Sequence, residues 1–250
     1  MIIKKINTIK KQEKAAADLL LFFAGWGMDE RPFLEYLPVD KDCMICYDYR
    51  SLSFDDSLLA PYRQIRVVAW SMGVWAASRI LSGRNLPVSE SIAVNGTPWP
   101  IDDERGIATA VFRGTLEGLN EDTLRKFRKR MCGSKEALEH FMKHVPLRTT
   151  EDLHEELTLI GKLYAMQVNT GEAYPACFTG ESSREIQHFP HVHKPPFEWN
   201  KIYIGMQDKI FPVTNQQTAW EGKNITTVHC AHYPYTLWPE LFAKEKRTDG

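Results

Sequence analysis

Short apolar runs recur near both ends of the chain, and stretches with the spacing of amphipathic helices separate them. The runs end at small or turn-forming residues and contain few polar positions, as expected of strands that are covered on both faces. This alternation is typical of a parallel sheet whose strands are connected by crossover helices. The predicted strands are Leu19–Ala24, Cys43–Tyr47, Ile65–Trp70, Ser91–Asn95, Lys201–Gly205 and Ile225–Cys230.

The middle of the chain has a different pattern, because helical spacing rich in Glu, Lys, Arg and Leu replaces the apolar runs between Thr97 and about Pro196. Proline-containing stretches border this segment on both sides. We therefore expect an α/β fold with a mostly parallel central sheet, flanking helices and an inserted helical lid. The expected domains are residues 1–97 for the first part of the core, 98–196 for the lid and 197–250 for the second part of the core. The lid helices are predicted at Asn120–Cys132, Ser134–Lys143 and Thr150–Met166.

The composition is that of an ordinary globular protein. Of the 250 residues, 43% are hydrophobic and 25% are charged, and 31 Lys and Arg balance 32 Asp and Glu. This balance leaves no large field to attract nucleic acid or an anionic membrane. The apolar runs are too short for a membrane helix, and Asp18 interrupts the Lys-rich start that would otherwise imitate a secretory signal. We expect a cytoplasmic monomer that binds neither nucleic acid nor membrane.

The five cysteines are scattered and odd in number, which argues against a disulfide framework and for a reducing compartment. Cys43 and Cys46 have metal-like spacing, but without a second pair they are interpreted as buried strand residues. His188, His191 and His193 lie in a proline-rich stretch without matching ligands, which favours a surface loop over a metal site. No metal or other cofactor is predicted.

Ser71 follows the predicted strand Ile65–Trp70 and precedes helical apolar spacing over residues 74–81. Strand, sharp turn and helix in this order form a nucleophile elbow, in which the hydroxyl projects above the sheet and the helix N-terminus favours developing negative charge. Small residues are needed two positions to either side, and Ala69 and Gly73 occupy these positions. The pattern is Gly-x-Ser-x-Gly with alanine in place of the first glycine. The alternative is a serine that only caps a helix after a buried strand.

A serine nucleophile requires hydrogen-bond donors for the oxyanion that forms on the attacked carbonyl group. One is expected to be the backbone N–H of Met72, the residue after the serine. The second should lie in a loop after an early strand, and Gly25-Trp26-Gly27 follows the first predicted strand. Because glycine on both sides allows the backbone to turn, the N–H of Trp26 is the candidate. The alternative is a plain glycine turn with Trp26 packed in the core.

The remaining partners of Ser71 are expected after the late strands, in the chain order serine, acid, histidine. Asp208 follows the strand predicted at Lys201–Gly205 and is the candidate for orienting an imidazole, with a turn-forming aspartate as the alternative. Two histidines follow the start of the last predicted strand. His229 is expected to belong still to that strand, whereas His232 falls in the loop beyond it, so His232 is the preferred base.

Four segments together resemble the BioG-type family of pimeloyl-acyl-carrier-protein methyl ester esterases, which are α/β-hydrolases. The segments are residues 22–29, 69–73, 205–208 and 232–235. The resemblance implies a catalytic triad of Ser71, Asp208 and His232 and an oxyanion hole of Trp26 and Met72. It also implies hydrolysis of the methyl ester of a carrier-bound pimeloyl chain in biotin synthesis, with the acyl carrier protein as partner and without a cofactor.

The lid contributes one further signal, a run of five positive charges between Arg125 and Arg130 in a chain that is neutral overall. Because carrier proteins are usually acidic, such a patch is expected to steer the partner toward the pocket. The alternative is a solvated helix face. The candidate substrate- or carrier-binding residues are Trp70, Arg125, Arg128 and Lys129.

Two other functions are compatible with these residues. Similar triads on this fold also serve short-chain esterases, thioesterases, lyases and peptidases. A non-catalytic binding module on a hydrolase scaffold would use the basic helix as its working surface, although chemically competent residues at all three triad positions disfavour it.

Overall fold

Seven strands lie within the described residues 1–6, 18–168 and 196–243 of the computed structural model. They are β1 (Ile2–Ile6), β2 (Asp18–Phe23), β3 (Asp42–Tyr47), β4 (Gln64–Trp70), β5 (Val88–Val94), β6 (Lys201–Gly205) and β7 (Ile225–Val228). The spatial order is β1-β3-β2-β4-β5-β6-β7. β1 runs antiparallel to β3 and all other neighbours are parallel, so the predicted mostly parallel central sheet is confirmed.

The sequence prediction missed β1, whose Ile-Ile-Lys-Lys-Ile sequence has no continuous apolar run. This strand lies at the edge of the sheet and pairs with β3. Lysine side chains at an edge reach water and discourage pairing with another chain, so a strand tolerates charge there. Lys4, for example, forms an ion pair with Glu30 at 3.1 Å.

Two strand boundaries differ from the prediction by more than one residue. β7 ends at Val228 because the backbone N–H of Cys230 turns back to the carbonyl oxygen of Val228 at 3.0 Å. His229 therefore lies beyond the strand, and the expectation that it belongs to the strand is wrong. β5 begins at Val88, earlier than predicted, and the polar Glu90 in its first half forms ion pairs with neighbouring basic side chains.

Seven α-helices occur in the described residues. They are α1 (Met72–Leu81), α2 (Thr109–Glu117), α3 (Glu121–Cys132), α4 (Lys135–Lys143), α5 (Thr150–Val168), α6 (Val213–Ala219) and α7 (Trp238–Phe242). The three predicted lid helices correspond to α3, α4 and α5, whereas α2 was not predicted. The side chain of Asn120 caps the start of α3, and Gly133 ends it in the left-handed region, at φ 73°.

The core lies on both faces of the sheet. Phe22 of β2 packs edge-on against Phe33, Trp238 and Phe242, with ring centroids 4.7, 5.6 and 4.9 Å away. Residues 19–23 of the same strand are almost completely buried, which explains why this strand reads as continuously apolar. Helices on both faces of a mostly parallel sheet, with a serine turn after β4, form the α/β-hydrolase fold, as expected.

The helices α2 to α5 come between β5 and β6 in the chain and fall within the expected lid. The division of the chain at 98–196 itself stays a prediction. Cys43 and Cys46 are buried on β3, as predicted, whereas Cys177, His188, His191 and His193 lie outside the described residues. None of the helices in the described ranges is long and apolar enough to cross a membrane.

Candidate active site

Ser71 occupies a sharp turn between β4 and α1, with φ 60° and ψ −130°. A non-glycine residue in this region is strained, and tight packing of the neighbouring backbones holds it there. A Cβ at Gly73 would lie 2.3 Å from the carbonyl oxygen of Phe23, and a Cβ at Gly96 would lie 2.3 Å from that of Ser71. The expected close approach after the serine is therefore present, and Ala69 fits, fully buried, on the strand before it.

The structure brings Ser71, His232 and Asp208 together. The Nε2 atom of His232 lies 2.9 Å from the Oγ atom of Ser71, and its Nδ1 atom lies 2.8 Å from Oδ2 of Asp208. With Nδ1–H donating to the carboxylate, Nε2 is left to accept the serine proton. All three residues are nearly buried, so water competes little for these hydrogen bonds.

Asp208 follows β6 in a turn that directs its carboxylate at the imidazole. Its Oδ1 atom accepts hydrogen bonds from the backbone N–H groups of Ile210 and Phe211, at 2.8 and 3.0 Å. Its Oδ2 atom accepts a third from Nε2 of Gln216 on α6, at 3.1 Å. The ring of Phe211 is also stacked parallel to that of His232, with centroids 5.9 Å apart. These contacts fix both the carboxylate and the imidazole.

The loop that carries His232 is held by Asn95, which follows β5 with φ 45°. The Asn95 side chain donates to the carbonyl oxygens of Ala231 and His232, both at 3.0 Å, and accepts from the N–H of Gly205 at 2.6 Å. The indole N–H of Trp70 donates to the carbonyl oxygen of His232 at 2.7 Å. One buried amide therefore connects the ends of three strands at the site.

His229 is separate from this arrangement. Its side chain is exposed and its Nε2 atom lies 2.9 Å from Nε2 of Gln207. The preference for His232 over His229 therefore agrees with the geometry, although its stated reason, that His229 belongs to the strand, does not.

Trp26 and Met72 line the same cavity as Ser71. Met72 is the first residue of α1, so its N–H has no partner within the helix. Trp26 lies in a turn in which a Cβ at Gly25 would come within 3.1 Å of the Cβ of Ser71, and Gly27 has φ 75°. The ring of Trp26 also packs edge-on against Phe127 of α3, with centroids 5.2 Å apart.

The cavity has a volume of about 510 Å³, including the space at its mouth. Its walls are mainly apolar and include residues of α2, α3 and α5, while Ser71, His232 and Arg130 provide polar atoms. The apolar lining includes Trp26, Trp70, Ile107, Val111, Phe112, Phe127, Met131, Leu157 and Ile210.

A groove between α2 and α3 continues from this cavity and shares Val111, Thr115, Phe127 and Arg130 with it. Lys126 lines the groove as well. Of the residues proposed from the sequence for substrate or carrier binding, Trp70 lines the cavity, whereas Arg125, Arg128 and Lys129 line neither space. The reason is helical geometry, because positions four apart, such as Lys126 and Arg130, share the face that meets the groove.

Sequence reasoning missed Asn95, Gln216 and Phe211. Asn95 carried a weak signal, since a polar residue ends a buried strand and precedes a glycine. Gln216 and Phe211 belong to no motif, and their partners are evident only in the folded chain. Among the described residues, no group of three or more His, Cys, Asp or Glu side chains is placed to hold a metal ion.

A hydroxyl that is hydrogen-bonded to an imidazole, which is in turn hydrogen-bonded to a carboxylate, is suited to nucleophilic attack on a carbonyl group.

Comparison with known proteins agrees with the α/β-hydrolase fold described above. A family model described as "Pimeloyl-ACP methyl esterase BioG" matches residues 6–171. The crystal structure of BioG from Haemophilus influenzae is similar to this chain with a TM-score of 0.75 and 33% identity, covering 97% of this chain and 100% of that one.

Two relatives are similar in sequence. The chain is 50% identical over 228 residues to a malonyl-[acyl-carrier protein] O-methyltransferase of Bacteroides fragilis (strain 638R), which covers 90% of this chain and 41% of that protein. The chain thus spans about two fifths of that relative's length. It is 37% identical over 229 residues to an uncharacterized protein of Haemophilus influenzae (strain ATCC 51907), which covers 90% of this chain and 94% of that protein. With a family model matching well over half of its length, the chain belongs to the BioG family.

Proposed function

We propose that the chain is a serine carboxylesterase that hydrolyses the methyl ester of pimeloyl-acyl carrier protein to pimeloyl-acyl carrier protein and methanol. The observation that carries the chemistry is the hydrogen-bonded line from Ser71 through His232 to Asp208, which opens into an apolar cavity. Membership of the BioG family supports the substrate.

In the first half of the proposed reaction, Nε2 of His232 takes the proton of Ser71 as Oγ attacks the ester carbonyl carbon. The N–H groups of Met72 and Trp26 stabilise the resulting oxyanion. The bond to the methoxy group then breaks, and His232 returns the proton to that group, so methanol leaves. In the second half, water attacks the acyl-serine with His232 as base, and the freed acid leaves Ser71 in its original form.

The apolar cavity suits the methylene chain of a pimeloyl group, and the groove suits the carrier arm. Lys126 and Arg130 give the groove positive charge, which favours an acidic carrier protein. We therefore place the carrier on the α2–α3 side of the lid, with Lys126 and Arg130 in the role first assigned to Arg125, Arg128 and Lys129. In this proposal, residues 98–196 act together as the lid.

Methyl transfer is a second candidate activity, because the B. fragilis relative is named for it. We favour hydrolysis for this chain, since it spans only 41% of that protein and since an activated serine nucleophile serves acyl transfer rather than methyl transfer. Incubation with malonyl-carrier protein and a methyl donor is expected to leave the malonyl group unmethylated. Formation of the methyl ester would favour the second candidate.

The proposed function is tested by mass spectrometry of methyl pimeloyl-carrier protein before and after incubation. The wild type is expected to remove the methyl group and release methanol, and Ser71→Ala to reduce turnover by roughly 10⁴-fold or more while the fold is kept. Circular dichroism checks the fold of the variant. A wild type that leaves the ester intact while cleaving short esters well would contradict the carrier substrate.

A fluorophosphonate probe separates the esterase from a binding module. Labelling is expected in the wild type and absent in Ser71→Ala, because the probe reacts with an activated serine. A correctly folded wild type that is never labelled would show that the triad is not catalytic and would favour the binding module.

A further inference from the structure

The lid helix α5 is hydrogen-bonded to the loop that contains Trp26. The indole N–H of Trp26 donates to the carbonyl oxygen of Leu153 at 3.0 Å, and the backbone N–H of Gly27 donates to Oε2 of Glu156 at 3.2 Å. A Cβ at Gly27 would lie 3.2 Å from the Leu153 side chain, so the two segments also pack closely. The loop is therefore fixed to the lid on both its side-chain and its backbone sides.

Glu156 is an unusual residue for this position, because its side chain is fully buried. Its Oε1 atom accepts from the N–H of Tyr49 at 2.9 Å, and Arg148 donates to its Oε2 atom at 2.6 Å. Arg148 also lies 3.4 Å from Asp48, which pairs with Arg50 at 2.6 Å, so two guanidinium groups face the two carboxylates. Burial raises the pKa of Glu156, and the positive charge of Arg148 opposes that effect. The carboxylate thus joins α5 to two separate loops of the core.

Nothing in packing alone requires a carboxylate here, since an apolar side chain of similar size often stabilises a buried site equally well or better. A carboxylate does provide fixed acceptors for backbone N–H groups, and this determines the orientation of a peptide. The N–H of Gly27 belongs to the peptide unit that directly follows Trp26. Holding that unit limits the rotation of the neighbouring Trp26 N–H.

We infer that Glu156 is a positioning residue for the oxyanion hole, which holds the Gly25-Trp26-Gly27 loop so that the Trp26 N–H is directed at the oxygen of the tetrahedral intermediate. The inference rests on the proposed serine-esterase function and extends it to a residue of the lid. A displaced oxyanion donor destabilises the transition state more than the bound ester. We therefore expect kcat to fall while KM stays nearly unchanged.

The test compares Glu156→Gln with Glu155→Gln, the same substitution at the next position of α5. Glu155 is exposed and pairs with Arg50 at 2.6 Å, outside the loop contacts. With a p-nitrophenyl ester, Glu156→Gln is expected to lower kcat by about tenfold or more, with KM nearly unchanged. Glu155→Gln is expected to keep both constants. Wild-type kcat in folded Glu156→Gln, or an equal loss in both variants, would overturn the inference.

A trifluoromethyl ketone gives a readout that a merely structural role would not move, because its serine adduct carries the oxyanion. Its inhibition constant is expected to rise in Glu156→Gln by the same factor by which kcat falls. A fall in kcat with an unchanged inhibition constant would overturn the inference. If the wild type shows no turnover that depends on Ser71, the proposed function fails, and the inference fails with it.

Trp26→Phe decides the case if Glu156→Gln does not fold. This change removes the hydrogen bond to Leu153 but keeps an aromatic ring against Phe127 and keeps the backbone N–H. A fall in kcat with an equal weakening of the ketone is expected. A folded Trp26→Phe with wild-type values for both would overturn the anchoring of the loop by α5.

Discussion

Gly73 lies just after the strained serine turn and packs closely against backbone atoms at the end of β2 and directly beyond it. A Cβ there would lie 2.3 and 2.5 Å from the carbonyl oxygens of Phe23 and Ala24, which are backbone atoms and cannot move aside cheaply. A methyl group at this position therefore has to push α1 away from β2. Met72 and Ser71, the proposed oxyanion donor and nucleophile, would move with α1.

We predict that Gly73→Ala lowers the free energy of unfolding by about 2 kcal/mol or more and slows labelling by a fluorophosphonate. Gly114→Ala is the matched control, because no atom would lie within 4 Å of its Cβ and it is inside α2. The control is expected to gain about 0.5–1 kcal/mol, the helix preference of alanine over glycine. Chemical denaturation measures both, and a Gly73→Ala variant as stable as the wild type would contradict the packing argument.

At the same scale, the sequence predicted which three polar side chains lie together but not the residues that hold them. Ser71, Asp208 and His232 each follow a predicted strand, so their positions at one edge of the sheet could be deduced locally. Asn95 contacts Gly205 at a distance of 110 residues along the chain, and Glu156 contacts Gly27 at 129 residues. No local pattern specifies such pairs.

Among the elements, the segment after β3 carries a nearly buried carboxylate in an ion pair. Asp48 has φ 61° and is nearly buried, with Arg50 at 2.6 Å and Arg148 at 3.4 Å. Burial opposes ionisation of this carboxyl group, but the hydrogen bonds from Arg50 and the charge of Arg148 outweigh it, so its pKa lies below the usual 3.8. Since the folded pKa is the lower one, the stabilisation is present above the unfolded value and is lost as pH falls through the folded value.

We predict that Asp48→Asn costs about 2–3 kcal/mol of unfolding free energy near neutral pH. Asparagine keeps the shape and tolerates positive φ, so mainly the charge is removed. The difference from wild type should shrink below about pH 4 as Asp48 is protonated in the wild type. Urea denaturation across this range measures it, with the exposed Asp40→Asn as control. A difference that is independent of pH would contradict the ion-pair explanation.

Elements that are specified by a local sequence pattern were predicted, whereas elements that depend on packing with distant residues were not. The strand, turn and helix from β4 to α1 have a continuous pattern, and the caps of α3 are visible as Asn120 and Gly133. β1 was hidden because an edge strand need not be apolar. The face of α3 that meets the groove was also hidden, because the rotation of a helix depends on what it packs against.

For the molecule as a whole, charge matters where it is concentrated, since the net charge is only −1. Lys126 and Arg130 border the groove that leads to Ser71, whereas Lys129 is exposed on the same helix away from it. If an acidic carrier approaches along the groove, reversing a charge there should slow association, and added salt should reduce the difference.

We predict that Lys126→Glu lowers kcat/KM for the carrier-bound ester roughly tenfold, a larger loss than for a small ester. Lys129→Glu changes the net charge equally and is expected to have a clearly smaller effect. Steady-state kinetics at low and high salt measure both variants. Equal losses in the two variants would indicate the overall charge rather than the groove.

Residues that contact each other at the site are far apart in the sequence, so the ribosome makes them at different times. Ser71 and His232 are 161 positions apart in the sequence. The last described strand, β7, and the loop that carries His232 come after α5 in the chain. Before residues 201–232 have been synthesised, Ser71 lacks the imidazole proposed as its proton acceptor, and before α5 has been synthesised the Gly25-Trp26-Gly27 loop lacks its contact with Glu156. In the proposed mechanism, a nascent chain that still lacks His232 therefore cannot cleave the ester, and the site is complete only after residues on both sides of α2 to α5 have been made.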